Sequence, residues 1–468
     1  MFSPLILGEG RNANLHFSIS LPDFKTTVNA IRHINAGRYT TNKKTLALLA
    51  GLILVLTATR PLLAADVQEK SHARQLAIIR HEQALAWTKL DGVQLPANVE
   101  EFFRAAQQGT WASIRAPFRS ATKNLRPESA WLDDLMVDVY GAYEQEHLWH
   151  PDLLQQFAES VLQGMPDQSI YFGGTDPGRF AVTAFNSICN HGKVFVLTQN
   201  QLSNGKYVEY ANRLYPSGIW LPNSNAVVQA RSCYEQDVER GLRPRYPGPE
   251  GAIQIMEINR ILAKEIFDRN LADHQFFIEE SYLIDWMLPY LEPHGLVMKL
   301  TTKPSRSISK DVVKRDRSFW DQKERELLAD QRFIDCPAAR RAYSKCRSAI
   351  GGLYATRRMN DESEYAFRQA IRLYPLSKEA YYRLLQAVLL PQARYNDALV
   401  ALRELRKAGP DVRDIAYHKE KFYGQTGEEE ESRRFEKREK DEFNRTIDEY
   451  IDWVTKEIEK RIVPERTK

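Results

Sequence analysis

This sequence of 468 residues contains few cysteines, little excess charge of either sign and few long apolar runs. The four cysteines are too few for a disulfide scaffold, and none has the C-x-x-C spacing of a metal site. The 65 basic and 61 acidic residues lie interspersed along most of the chain and leave a formal net charge of only +4. This balance argues against nucleic acid as a partner, because nucleic-acid-binding proteins concentrate basic residues on one surface.

Motifs of several enzyme classes are missing as well. The sequence has no G-x-G-x-x-G dinucleotide loop, no Walker loop with its lysine and no G-x-S-x-G nucleophile motif. His147 and His150 lie near two glutamates, but not in the H-E-x-x-H order of a zinc site. We therefore expect no cofactor and no metal ion. The sequence favours a non-catalytic protein, but it does not decide between this class and an enzyme.

The most apolar segment lies near the N-terminus. Lys43 and Lys44 precede an uncharged run, TLALLAGLILVLTA, and Arg60, Pro61 and a segment that ends in the small residues Ala64 and Ala65 follow it. This pattern predicts that residues 43–65 are a cleaved signal peptide or a retained membrane anchor. Residues 1–42 are then a disordered or mis-assigned extension. The basic flank predicts a body outside the cytoplasm, in the periplasm.

Residues 66–300 are predicted to form an α/β domain with a helical N-terminal part. After the helical pattern of residues 66–165, four short apolar segments alternate with helices. Such alternation predicts a small, mostly parallel sheet with flanking helices. Residues 217–250 are rich in Pro, Gly, Ser and Asn, which is typical of a surface segment. The charged residues that follow the domain, 301–337, are predicted to be a linker. The predicted strand segments are SIYFGG, KVFVLTQN, HQFFIEES and LVMKL.

The stretch SIYFGGTDPGRF contains the candidate ligand site. A glycine loop between a strand and a helix is where α/β folds bind anions, so a sugar or phosphate is the expected ligand. Thr175, Asp176, Pro177 and Gly178 also form a strong turn sequence, and Asp176 is placed to cap the next helix, so a purely structural corner is the alternative. In a parallel sheet, Asn200 and Glu279 would lie at the same edge. The candidate ligand residues are Gly173, Gly174, Thr175, Asp176, Arg179 and Glu279.

Three segments of this region resemble a known family. YFGGTDPGRF, KVFVLTQNQLSNGKYVEYANRL and HGLVMKL are similar to the soluble domain of bacterial protein O-mannosyltransferase-like membrane proteins. The resemblance covers roughly residues 165–300. Those proteins often carry tetratricopeptide repeats at their C-terminus. Because this chain lacks their many membrane spans, the resemblance implies an accessory domain of an envelope protein and no glycosyl transfer.

The C-terminal third contains a repeated pattern. Residues 344–377 form a unit of 34 residues in which small residues allow two helices to approach, aromatic residues fill the space between them and a proline ends the second helix. This unit resembles the tetratricopeptide repeat. It departs from that pattern at Arg347, which replaces an aromatic residue, and at Ser363, which replaces an alanine. The matching residues are Gly351, Tyr354, Phe367, Ala370 and Pro375.

A second unit begins at Lys378 and repeats the pattern with one extra residue. A third, degenerate unit runs from 411 to 437, so residues 338–437 are predicted to be a repeat array. Residues 438–468 are predicted to be a capping helix with an apolar stripe, and a short coiled coil is the alternative. The matching residues of the second unit are Tyr381, Leu384, Ala398, Leu402, Leu405 and Pro410.

These patterns predict a non-catalytic envelope protein that binds a protein partner through the repeat array. The concave face of the array would contact the partner. Lys345, Tyr381 and Gln386, which lie on the first helix of their repeat units, are the candidate contact residues. The alternative is a ligand-binding protein or enzyme with its site at the Gly173–Arg179 loop. Cys336 and Cys346 are ten residues apart and would have the opportunity to pair in an exported protein.

Overall fold

The structure is a computed structural model that describes residues 71–123, 125, 129–174, 176–242, 251–279, 284–423 and 429–462. The extension predicted over 1–42 and the signal or anchor segment predicted over 43–65 lie outside these residues. In the part of the chain that is described, no helix combines the length and apolarity needed to cross a membrane.

The described chain is mostly helical. In chain order the helices are α1 (His72–Leu90), α2 (Ala97–Gln108), α3 (Trp111–Lys123), α4 (Leu132–Leu148), α5 (Pro151–Leu162), α6 (Val182–Ile188), α7 (Gly205–Leu214), α8 (Ser224–Glu239), α9 (Gly251–Asn270), α10 (Lys310–Ala329), α11 (Gln331–Ile334), α12 (Pro337–Thr356), α13 (Asn360–Leu373), α14 (Lys378–Leu384), α15 (Tyr395–Ala408), α16 (Val412–Tyr423) and α17 (Glu429–Ile462).

Within the described ranges, irregular helical turns supplement these helices. Pro177–Ala181 and Leu385–Leu389 are π-helical, whereas Gln199–Gln201 and Asp285–Tyr290 are 3-10 turns. The strands found in the same described residues are β1 (Ile170–Gly173), β2 (Phe195–Thr198), β3 (Phe276–Ile278), β4 (Leu291–His294) and β5 (Val297–Leu300).

The chain divides into two compact units. The first unit combines the residues up to Glu144 with Thr183–Leu262. The second unit combines Gln145–Val182 with the residues from Ala263 onward. The second unit therefore unites β1, β3, β4 and β5 with the C-terminal helices.

The core of the first unit contains a buried ion pair. Arg80 on α1 donates through Nε to the Asp138 carboxylate on α4, with an N–O distance of 2.7 Å. The Tyr210 hydroxyl donates to the same carboxylate at 2.8 Å. Because each charge has a hydrogen-bonding partner, the pair is tolerated among apolar neighbours such as Trp87 and Trp131.

Residues 217–250, predicted to be a long surface segment, contain helix α8, most of whose residues are exposed. Asn223 caps this helix, since its side chain accepts from the Ala226 amide at 3.0 Å. Val227, Ala230 and Tyr234 are buried along one face. Their spacing of three and four residues is helical, and the surrounding polar residues obscured it.

The sheet of the second unit is mixed, which corrects the prediction of a mostly parallel sheet. Its strands follow the order β1-β3-β5-β4, and β1 is parallel to β3. Strands β4 and β5 are antiparallel, with His294 opposite Val297. Only Gly295 and Leu296 connect them, and Gly295 has a φ of 61°. A connection this short joins only antiparallel strands. Pro293 made the segment of β4 look like a loop.

Helix α10 occupies the segment predicted to be a linker. Ser309 caps it by accepting from the Val312 amide at 3.3 Å. Val312, Asp316, Trp320 and Leu327 are buried along its length. The segment is therefore a packed helix of the second unit, and its high charge belongs to the faces that remain in solvent.

The first helix pair of the C-terminal array, α12 and α13, is held together at Gly351. A Cβ atom at Gly351 would lie only 2.9 Å from carbons of the Phe367 ring. Ser363 is buried and donates to the Gly351 carbonyl at 2.9 Å. Tyr354 and Ala370 are also buried, and Pro375 follows the end of α13. The motif residues of the first unit thus form one close helix contact.

The second pair consists of α14, the π turn Leu385–Leu389, and α15. The extra residue in the sequence of this unit coincides with the π turn, where the Leu390 amide donates to the Leu385 carbonyl at 2.9 Å. A π turn accommodates one more residue than an α turn, so the helix keeps its packing. Pro410 follows α15 after Gly409, which has a φ of 80°. Tyr381, Leu384, Ala398, Leu402 and Leu405 are buried in the core of this pair.

Candidate functional site

The predicted ligand loop begins where β1 ends at Gly173. Gly173, Gly174, Gly178 and Arg179 are buried, and Asp176 is half-buried. Thr175 lies outside the described residues. The Asp176 carboxylate accepts no capping bond from a described backbone amide, so the π turn begins without a side-chain cap. Because β1 and β3 are parallel, the loop and Glu279 leave the sheet at the same edge.

Gly178 is the closest contact of this loop with Glu279. A Cβ atom at Gly178 would lie 1.3 Å from Glu279 Oε2. The Glu279 side chain therefore occupies the place that any other residue at position 178 would need. The backbone of Gly178 is helical, a conformation that any residue can adopt. It is therefore the close approach of Glu279, and not the backbone conformation, that requires a glycine here.

Two buried side chains that were not among the candidate ligand residues contact Glu279. The Tyr171 hydroxyl donates to the Gly178 carbonyl at 2.8 Å and approaches Glu279 Oε2 at 3.3 Å. The Cys346 thiol donates to Glu279 Oε1 at 3.8 Å. Burial, reinforced by the Glu279 charge, raises the pKa of Tyr171 and the pKa of Cys346 well above their ordinary values. Both groups therefore stay protonated at neutral pH, and Cys346 is not a thiolate nucleophile.

A small cleft lies beside Glu279. Lys345, Cys346 and Met298 are among the residues that line it. Its cavity volume is about 10 Å³. This is room for about one water molecule, and a sugar or phosphate is much larger. The cleft beside Glu279 is thus too small for either ligand in this conformation. Arg179 itself lies over the Phe180 ring, 4.0 Å from the ring centroid.

The remaining sequence-predicted candidates do not join this cluster. Asn200 belongs to a 3-10 turn of the first unit. In the described residues, no group of three histidine, cysteine or acidic side chains is placed to hold a metal ion. Cys336 and Cys346 are free, and nine intervening residues place them on α12 or at its start. Helical rise separates their Cα atoms by about 15 Å, far beyond disulfide reach.

The three residues that were expected on the inner face of the array, Lys345, Tyr381 and Gln386, each contact other parts of the chain. Lys345 lines the cleft beside Glu279. Tyr381 is only 4% exposed and belongs to the core of the second pair. Gln386 donates through Nε2 to the Tyr450 hydroxyl on α17. Of the three, Tyr381 is buried, Lys345 is half-buried and Gln386 is exposed.

Helix α17 packs on the second helix pair. Phe443, Ile447 and Val454 are buried in the same core as Leu385 and Leu402. Ile451 and Ile458 are partly buried against it. This stripe recurs every three or four residues, so the helix presents one continuous apolar face.

Aromatic contacts mark the edges of this packing. Tyr382 stacks on Tyr450 with 5.5 Å between ring centroids. Tyr395 meets Trp453 edge-on at 6.3 Å. We call the surface formed by Tyr382, Gln386 and Tyr395 the α17-binding face. Chemically, it is a surface that holds an amphipathic helix.

No family model, no curated protein and no solved structure matches this chain. Any conclusion about function therefore depends on the residues and geometry described above.

A histidine near the sheet predicts a pH dependence of stability. His294 on β4 is half-buried, 5.0 Å from the Phe277 ring centroid, and its Nε2 would lie 2.9 Å from a Cβ atom at Gly164. Burial lowers the pKa of His294, and nearby Lys299 lowers it further. In the unfolded chain His294 takes up a proton near pH 6.5, whereas in the folded chain it does so only at a lower pH. The unfolded state therefore binds more protons, and the stability of the fold decreases as the pH drops below about 6.5.

We therefore expect the urea midpoint of the wild type to fall between pH 7.5 and pH 5.5 by more than that of a His294→Gln variant. His147→Gln, which changes an exposed histidine of the same unit, is the control and should keep the wild-type dependence. Equal pH dependence of the wild type and His294→Gln would contradict the assignment.

Proposed function

We propose that this chain is a non-catalytic interaction protein of the cell envelope, which binds a protein partner through its C-terminal helical array. The repeated sequence pattern supports this proposal, because its small and aromatic positions coincide with the closest helix contact of the array at Gly351 and Phe367. Tetratricopeptide arrays are open stacks of helix pairs that present extended binding surfaces.

The observation that carries the proposal is the packing of α17. The α17-binding face already holds an amphipathic helix by an apolar stripe with aromatic edges. An amphipathic helix of a partner would present a similar apolar stripe. Helices that bind in apolar grooves are anchored by side chains spaced three and four residues apart. We infer that the partner supplies such a helix in place of α17.

The polar surroundings of α17 are compatible with exchange. Its outer face carries many exposed charges, and several of its ion pairs lie within the helix itself, such as Lys437 with Asp441 at 3.1 Å. Exposed pairs of this kind contribute only about 0.3–0.5 kcal/mol each. The apolar stripe therefore dominates the attachment, at about 1.5–3 kcal/mol for each fully buried large side chain.

A peptide taken from the chain itself tests this function. We expect a fluorescent peptide of residues 438–460 to bind a full-length Ile447→Asp, Val454→Asp variant at least about tenfold more tightly than it binds the wild type. The reason is that a buried, unpaired carboxylate expels the chain's own helix from the face. Fluorescence anisotropy measures the affinity, and circular dichroism checks that the variant remains folded.

Two controls make this experiment specific. Glu449→Ala changes an exposed position of α17 and should leave peptide binding at the wild-type level. A peptide that carries Asp at position 447 should not bind the double variant. A folded double variant that fails to bind the unmodified peptide would refute the proposed exchange.

The envelope location is part of the same proposal. It is supported by the basic-flanked apolar run over 43–65 and by the resemblance of residues 165–300 to a soluble domain of envelope proteins. Recovery of peptides from residues 2–40 in the mature native protein would rule out both a downstream start and a cleaved signal.

A sugar or phosphate site at the Gly173–Arg179 loop is the alternative function. One observation favours it, namely the convergence of Tyr171 and Glu279 on Gly178. Its support is weaker because the cleft beside Glu279 holds about one water molecule. A ligand would have to displace the Glu279 side chain from the space above Gly178.

A further inference from the structure

A cysteine and a histidine that are far apart in the sequence meet in the first unit. Cys189 follows the end of α6 and is exposed, and its Sγ lies 3.5 Å from His72 Nε2. His72 is the first residue of α1. The two residues are 117 positions apart along the chain.

The imidazole of His72 is held in place by an aromatic neighbour. Its ring stacks on Phe185 with 4.0 Å between centroids and 29° between planes. Phe185 precedes Cys189 by one helical turn, and the Cys189 amide donates to the Phe185 carbonyl at 2.8 Å. The stacking and the backbone bond together fix the thiol and the imidazole relative to each other.

The surroundings favour a thiolate at Cys189. A neutral imidazole nitrogen at this distance can accept the thiol proton, and the resulting imidazolium stabilises the thiolate. The N-terminal turn of the 19-residue helix α1 adds partial positive charge at the same place. The C-terminal end of α6 acts in the opposite direction.

We propose that Cys189 is a reactive thiol, with His72 as its proton acceptor, and that it is a site of mixed-disulfide formation with low-molecular-weight disulfides. The Cys189 thiolate attacks one sulfur of the small disulfide, so that a new S–S bond forms and the old one breaks. The released thiolate takes up the proton held by His72. This assignment does not depend on the proposed partner binding.

The other cysteines provide internal comparisons. Cys233 is exposed on α8 of the same unit, whereas Cys336 and Cys346 are buried. Access alone therefore predicts equal reaction at Cys189 and Cys233. Activation by His72 predicts faster reaction at Cys189, because an ordinary thiol is only a few per cent ionised at neutral pH.

The experiment treats the folded full-length protein with glutathione disulfide at pH 7 and follows each cysteine by peptide mass spectrometry. We expect Cys189 to be modified about tenfold faster than Cys233, because His72 is placed to take up the thiol proton of Cys189. His72→Phe keeps the ring that stacks on Phe185 and removes the nitrogen. In this variant the Cys189 rate should fall to the level of Cys233, whose own rate should not change.

A second variant, His72→Gln, covers the case in which His72→Phe does not fold, and the same loss of rate is expected. Iodoacetamide, which needs only a thiolate and access, should show the same order of reactivity. Equal rates at Cys189 and Cys233 in the wild type would overturn the proposal. A Cys189 rate unchanged in a folded His72 variant would also overturn it.

Discussion

Replacing Asp316 by alanine is expected to destabilise the second unit by about 3–5 kcal/mol, the cost typical of removing one partner from a buried ion pair. The side chains of Asp316 and Arg347 are only 2% and 1% exposed, and the Arg347 guanidinium donates to Asp316 at 2.8 Å. The Tyr354 hydroxyl donates to the same carboxylate oxygen at 2.9 Å. Without Asp316, the Arg347 charge remains buried with Gln369 as a neutral partner.

Urea unfolding followed by circular dichroism measures this loss. Lys314→Ala on the same helix α10 changes an exposed residue and should shift stability by less than about 0.5 kcal/mol. The double variant Asp316→Leu, Arg347→Met removes both charges and should recover most of the loss, because a buried pair often contributes little compared with apolar residues. Wild-type stability of Asp316→Ala would show that α10 does not pack as described.

Gly178→Ala is expected to be the second most costly change. The new Cβ atom would lie 1.3 Å from Glu279 Oε2, so the buried carboxylate would have to move away from the Tyr171 hydroxyl and the Cys346 thiol. Overpacking costs about 1–3 kcal/mol, and a buried polar group that loses its partner costs about 1–3 kcal/mol more. The gain in helix propensity from Gly to Ala, about 1 kcal/mol, is smaller.

The same urea titration tests this prediction with two further variants. Gly205→Ala places a Cβ atom no closer than 3.9 Å to any neighbour and should not destabilise the protein. Combining Gly178→Ala with Glu279→Ala removes the clash and should restore part of the loss. If Gly178→Ala is as stable as the wild type, the close approach of Glu279 is not rigid, and a ligand site at this loop regains support.

The array was the most predictable part of the fold, because its signals are local. A helix contact such as Gly351 with Phe367 joins residues 16 positions apart, and the repeat spacing shows both of them. The single extra residue of the second unit was also visible in the sequence, although its placement in a π turn was not. Helices α8 and α10 were missed because their apolar faces are narrow and their composition is polar.

The candidate site was less predictable, because its contacts are long-range. Glu279 was a candidate ligand residue and Gly178 belonged to the predicted turn, but nothing in either segment indicates that the carboxylate fills the space left by the glycine. Tyr171 and Cys346 lie on a strand and a distant helix, and no motif connects them. Cys189 and His72 are likewise brought together only by the packing of α6 against α1.

The amino-acid sequence by itself determined the helical pairs at the C-terminus, the glycine turn after β1 and the presence of a small sheet. Each of these follows from backbone preferences and apolar periodicity over a few residues. The tertiary structure decided the direction of β4 and β5, the closure of the cleft at Glu279 and the contact between Cys189 and His72. Those features depend on which surfaces exclude water together, and this is a property of the packed chain that no short segment encodes.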